Sequence, residues 1–139
     1  WINHTINRRE QAGSIWDDGL KAIFSPKAFE YNSEESVFRR YNLLPLACYL
    51  HYWNHHNQKV IESVPKDRLL VIRTHDISHS YQAIAQFLGI TENDFQRDKS
   101  HAFQATQKHQ VLDKIDPDFL HDCIKTATSP AVAKLLLHT

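Results

Sequence analysis

The sequence contains no methionine, only three glycines and only two cysteines in 139 residues. With no methionine at position 1, the chain reads as a piece of a longer polypeptide. Gly13, Gly19 and Gly89 lie too far apart to form a loop that cradles phosphate on backbone N–H groups. Cys48 and Cys123 are too few for a disulfide scaffold and lack metal-ligand spacing. Both fall within apolar helical patterns and read as buried free thiols. No apolar run approaches the ~20 residues needed to span a bilayer. Arg8 and Arg9 stand where a signal peptide would need apolar residues.

Excess charge of one sign is also missing. Sixteen basic and sixteen acidic side chains cancel, which argues against a nucleic-acid or other polyanion partner, because such binding needs a clustered cationic excess. The expectation is one globular unit over residues 1–139, with neither nucleic acid nor membrane as partner. A hydrophobic content of 42% supports a modest core. The two unpaired cysteines and the lack of a leader are read as a cytoplasmic setting. Asn3-His4-Thr5 is a formal glycosylation triplet, of a kind that arises by chance.

The pattern along the chain is mainly helical. Ile15, Trp16, Leu20, Ile23 and Phe24 fall at helical spacing, and Ser25-Pro26 reads as a cap followed by proline at the first helical position. The clearest helix begins near residue 36 or at Pro45 and runs to Ser63. Leu46, Leu50, Trp53, Val60, Ile61 and Val64 lie largely on one stripe of it. His51 and His55 are four residues apart on another face. With no third ligand indicated, a metal site is rejected.

Residues 69–72, Leu-Leu-Val-Ile, are four consecutive apolar residues bounded by a turn. They predict a strand buried on both faces, of the sort found in parallel sheets covered by helices. A helix from Ser78 or Ser80 to Leu88 follows, with Ala83, Ile84, Phe87 and Leu88 expected inward and Gly89 as its left-handed cap. One strand cannot make a sheet, so its partners are expected from a missing N-terminal half or from another chain. Residues 91–110 read as partly irregular. Asp116-Pro117 and Ser129-Pro130 each combine a cap with proline at the first helical position and open two final helices.

Residues 67–90, DRLLVIRTHDISHSYQAIAQFLGI, carry a resemblance. The apolar segment, the turn Arg73-Thr74-His75-Asp76-Ile77 and the helix ending Phe87-Leu88-Gly89-Ile90 resemble the sulfotransferase superfamily. The preceding run Tyr52-Trp53-Asn54-His55-His56-Asn57 and the helix around Cys123 are similar to flanking helices of some members. The likeness is good over about half the chain and looser elsewhere.

The resemblance implies an α/β fold of the P-loop-NTPase-like sulfotransferase type. This chain would be its C-terminal, mostly helical portion with one buried parallel strand. It implies transfer of a sulfuryl group from 3′-phosphoadenylyl sulfate (PAPS) to a hydroxyl or amine, without metal. The phosphosulfate loop and the usual acid/base residue would precede Trp1, so no catalytic residue is assigned within the chain. The nucleotide would meet Thr74 and His75 beyond the end of the strand, where open sheets bind ligands. Threonine at position 74 departs from the aromatic residue of many members and cannot stack on adenine. Asp76 matches an acid of the family and alternatively caps the following helix. Arg97 and Lys99 would hold the cofactor's phosphate, arginine through paired charge-assisted bonds. Trp1, Trp16 and Phe24 would line the acceptor pocket. Two other readings stand beside this one: a non-catalytic module of the same fold, and a mostly helical interaction domain in which residues 69–73 sit inside a bundle.

Overall fold

A computed structural model describes residues 29–95 and 108–137, together with Ile6, Ala22 and Ile23. Every regular element among them is helical. The elements are α1 (Ser36–Arg40), α2 (Leu46–Ser63), α3 (Tyr81–Leu88), α4 (Pro117–Ala127) and α5 (Pro130–Leu137), joined by short 3-10 turns.

The start of the long helix explains the fold. A 3-10 turn, Ser33–Glu35, runs directly into α1. The chain then reverses through Asn42, whose φ of 51° lies in the left-handed region that asparagine tolerates better than most residues. Leu43 N–H closes the reversal on the Phe38 carbonyl at 2.9 Å, and the Tyr31 hydroxyl donates to the Leu43 carbonyl. Pro45, with φ fixed near the helical value, stands at the N-cap of α2. Phe38 and Leu43 are fully buried by this hairpin. At ~1.5–3 kcal/mol for each large apolar side chain removed from water, these two supply much of the local stability.

α2 packs against α4 and α5. Leu46, Cys48 and Tyr49 on its first turn are buried, with Val37, Phe38, Leu43, Val111 and Ile115 around them. Towards Ser63 the apolar stripe opens, and Trp53, Val60, Ile61 and Val64 are only half-buried. Asn54 Oδ1 accepts the Ser129 backbone N–H at 2.7 Å, fixing the start of α5 to the middle of α2.

Three of the cap signatures are realised as read, and the fourth, Ser25-Pro26, lies outside the described residues. Asp116 accepts the Phe119 N–H at 2.8 Å with Pro117 as the first residue of α4. Gly89 closes α3 at φ 68°. Val132 N–H reaches the Ser129 hydroxyl at 3.4 Å at the start of α5.

The strand expectation is overturned, and with it the α/β class. Residues 69–72 leave the Lys66–Arg68 turn through Leu69, which is extended (φ −120°, ψ 113°), and join no strand ladder. Leu70 is 36% exposed, while Leu69, Val71 and Ile72 are half-buried. A strand exists through the hydrogen bonds of a neighbour. No strand is formed among the described residues, so apolarity alone leaves the segment a connector. The alternative burial of 69–73 inside a bundle fails on the same exposures. The inward face expected on α3 is met only at Ile84, which is half-buried. Phe87 and Leu88 are 41% and 56% exposed and Ala83 is exposed, while the buried residue of the helix is Ala85. The packing of α3 is against the adjoining turns, Thr74–His79 and Glu92–Asp94, with the Tyr81 and Phe95 rings 5.5 Å apart.

Candidate functional site

Two places come forward: the turn that the resemblance singles out and a groove beside α2. The turn is a 3-10 segment, Thr74–His79, entered from Arg73 in extended conformation. Its first ring closes through Asp76 N–H to the Arg73 carbonyl at 2.9 Å. The Ser80 hydroxyl returns to the Asp76 carbonyl at 2.8 Å and joins the turn to α3. Thr74 and His75 are both exposed. His75 Nε2 lies 3.4 Å from the Asp76 carboxylate, their side chains 72% and 50% exposed. The carboxylate faces its neighbour and caps no N–H of α3.

The turn can therefore offer an open polar surface with two hydroxyls (Thr74, Ser78), two imidazoles (His75, His79) and one carboxylate. It has no enclosed wall and no desolvated charge, so contacts made there are screened by water. Arg97, Lys99, Trp1, Trp16 and Phe24 lie outside the described residues. Of the expected site, only Thr74 and His75 are placed, and they are neighbours on one exposed turn.

The groove lies between α2, α4 and the 108–113 segment, with a volume of ≈ 690 Å³. Tyr49, Leu50, Trp53, Val111 and Leu120 form its apolar wall, and Lys108, Gln110 and Asp113 stand exposed at its edge. The Tyr49 hydroxyl is turned away to accept the Leu44 N–H at 3.3 Å, which leaves the ring as wall. Trp53 is half-buried and belongs to the groove wall rather than to the core cluster. Helical spacing places it on the apolar stripe of α2, whereas the groove depends also on the 108–113 segment, more than fifty residues away in sequence. A smaller depression of ≈ 380 Å³ lies on another side of α2 and α4, with His51, Asp122 and Cys123 on its lining.

One charged side chain, Glu35, is buried among the described residues. Its side chain is buried at 1% exposure, and it accepts N–H groups from Asn32 at 2.7 Å and from Leu46. Burial pushes the Cys48 thiol up to about 11, with the Glu35 charge adding to it. Cys123 is also raised, first by burial and then by Glu35, Asp122 and Glu34. Thiols held protonated are poor nucleophiles, so neither cysteine is suited to covalent catalysis. Glu34, by contrast, is lowered, chiefly by the Ser33 hydroxyl at 2.7 Å.

Histidines line the exposed side of α2. The His51 and His55 rings stack 6.2 Å apart at 7°, and His56 stacks on Tyr52 at 5.9 Å. Among the described residues, no group of three or more His, Cys, Asp or Glu side chains is placed to hold a metal ion, and no helix is long and apolar enough to cross a membrane. Comparison with protein-family models, curated proteins and solved structures finds no match for the chain.

Proposed function

We propose that this chain is part of a sulfotransferase that moves a sulfuryl group from PAPS to a hydroxyl or amine. The observation that carries the reading is the segment 67–90. Its sequence resembles that family, and the same residues run in the order extended segment, polar turn, glycine-closed helix. The placement of Thr74 and His75 at the carboxyl end of a strand is lost with the strand, and what still supports the reading is the sequence resemblance together with their position on an exposed turn. Sulfuryl transfer, like phosphoryl transfer, depends on in-line positioning and charge stabilisation more than on a protein nucleophile. The protonated thiols of Cys48 and Cys123 are compatible with that.

In this proposal Thr74, His75, Arg97 and Lys99 contact the nucleotide, Trp1, Trp16 and Phe24 meet the acceptor, and no residue of the chain is the catalytic acid or base. The two free cysteines fit a cytoplasmic setting. Calorimetric titration of the full chain with adenosine 3′,5′-bisphosphate tests it. Saturable binding with Kd below about 1 mM is expected, weakened by Arg97→Gln and by Lys99→Gln. Heat-silent titration over that range counts against the reading.

A second reading has its own observation. Ile77, Phe87, Leu88 and Ile90 are 41–56% exposed around α3, an apolar row of the kind that marks protein contact surfaces. A helical interaction module would use that row and bind no nucleotide. Failure of the bisphosphate titration, together with concentration-dependent association abolished by Leu88→Asp, would favour it.

A further inference from the structure

We infer that residues 74–95, which comprise α3 and the turns on either side of it, open and close as one local unit while the core around α2 stays folded. Several contacts shape this stretch from within. The Ser80 hydroxyl donates to the Asp76 carbonyl at 2.8 Å and ties the first turn to the helix. Ile84 N–H meets the Ser80 carbonyl at 2.9 Å, and Ile90 N–H meets the Ala85 carbonyl at 3.0 Å. The Asp94 carboxylate accepts both the N–H and the hydroxyl of Thr91 at 2.9 Å, and the Tyr81 ring lies 5.5 Å from that of Phe95. None of residues 74–95 belongs to the hydrophobic core that contains Phe38 and Leu46.

Opening such a unit gives up little. Isolated helices shorter than ~12–15 residues are marginal, because they gain too few bonds to offset the cost of nucleation. With eight residues, α3 therefore needs burial to hold it. It has little: Ala85 is its buried residue, and Phe87 and Leu88 are already 41% and 56% exposed while the helix is formed. By contrast, α2 packs against α4 and α5 and buries Leu46, Cys48 and Tyr49. Regions with few buried apolar contacts open at the lowest free energy. The urea dependence of an opening follows the surface it exposes, and residues 74–95 have less left to expose than the core. The unit also carries Thr74 and His75. A ligand held by that turn would bind the closed form and draw the unit towards it.

Native-state hydrogen exchange of the full chain, without nucleotide and over a series of urea concentrations below the unfolding transition, tests the inference. Amides of residues 84–88 should be protected, but at least about 100-fold less than those of residues 50–53 in α2. Their exchange should also depend less steeply on urea. Ala85→Gly lowers helix propensity and should speed exchange in α3 by at least about fivefold. The rates of residues 50–53 should then stay within about twofold of their native values, because a local opening does not pass through the core. Global unfolding would instead speed both helices by the same factor. Equal protection and equal urea dependence in the two helices would overturn the inference, as would an Ala85→Gly acceleration shared by α2. Unprotected α3 amides would overturn it too, since no closed unit would then exist. With nucleotide left out, each of these outcomes leaves the bisphosphate titration to judge the transferase reading independently.

Discussion

The Glu35 carboxylate, 1% exposed, accepts the backbone N–H of Leu46, the first residue of α2. The first four N–H groups of any helix lack a partner within it, and the helix dipole favours negative charge at that end. Glu35 meets both needs for α2 and holds the Asn32 N–H with its second oxygen. Thus one buried side chain joins the turn before α1 to the helix that organises the core.

Removing that carboxylate should cost more than an ordinary surface change. Glu35→Ala leaves two N–H groups without their acceptor and opens a small void. A loss of roughly 2–4 kcal/mol in urea unfolding is expected. Glu35→Gln keeps one carbonyl oxygen and should lose less. If Glu35→Ala unfolds at the native urea midpoint, the carboxylate is not what holds the start of α2.

The core should respond unevenly. Phe38→Ala, at a position with 0% exposure, is expected to cost about 3–5 kcal/mol. Leu88→Ala, at 56% exposure, should stay within about 0.5 kcal/mol. Chemical denaturation of both variants measures the difference. Equal losses would mean that α3 buries a face against the rest of the chain.

What could be read beforehand was local. Asp116-Pro117, Ser129-Pro130, Pro45 and Gly89 mark helix ends because each acts on its own turn of backbone, and the structure places all four there. Residues 69–72 mislead because a strand is a relation between two segments, whereas four apolar residues state only a preference. The same limit hid the groove, whose wall joins Trp53 to a segment distant in sequence. Glu35 carries no apolar signal, since a carboxylate is ordinarily placed in water. A local signal was present: Asn32 followed three residues later by a glutamate is the spacing of a capping box.

The alkaline limb of stability should carry the mark of Cys48. Its thiol titrates near 9.0 when unperturbed and is pushed up to about 11 in the fold. A raised folded value means that the native state resists losing the proton. The contribution is therefore fully present below the unfolded value and disappears as pH rises through the folded one. Between about pH 9 and 11, the native protein should lose roughly 2 kcal/mol that Cys48→Ala does not lose. Urea titrations at stepped pH give the two slopes; parallel slopes would refute the burial of that thiol.

Gly89 tests the end of α3. At φ 68° a side chain is strained, yet a Cβ there would meet no atom within 4 Å. The cost of Gly89→Ala is then backbone strain alone, about 1 kcal/mol. Gly89→Asn should cost less, since asparagine enters the left-handed region more readily. Hydrogen exchange of the α3 amides reads this locally. A loss several times larger would indicate hidden packing at the helix end.

Asn54 lies within the Trp-Asn-rich run that drew the functional comparison, and the structure gives it an architectural task. Its side-chain oxygen accepts the Ser129 N–H at 2.7 Å across 75 residues of sequence. Ser129 precedes α5, where the first N–H groups lack helical partners, and its own hydroxyl is engaged with Val132. Asn54→Ala should therefore strand a half-buried N–H at a cost of about 1–3 kcal/mol. Asn54→Asp retains the acceptor and should restore most of that loss. If both variants are equally destabilised, the bond is incidental and α5 is held by Val132, which is 1% exposed. If only the alanine variant is weakened, Asn54 ties α5 to α2, and its place in the motif needs no ligand to account for it.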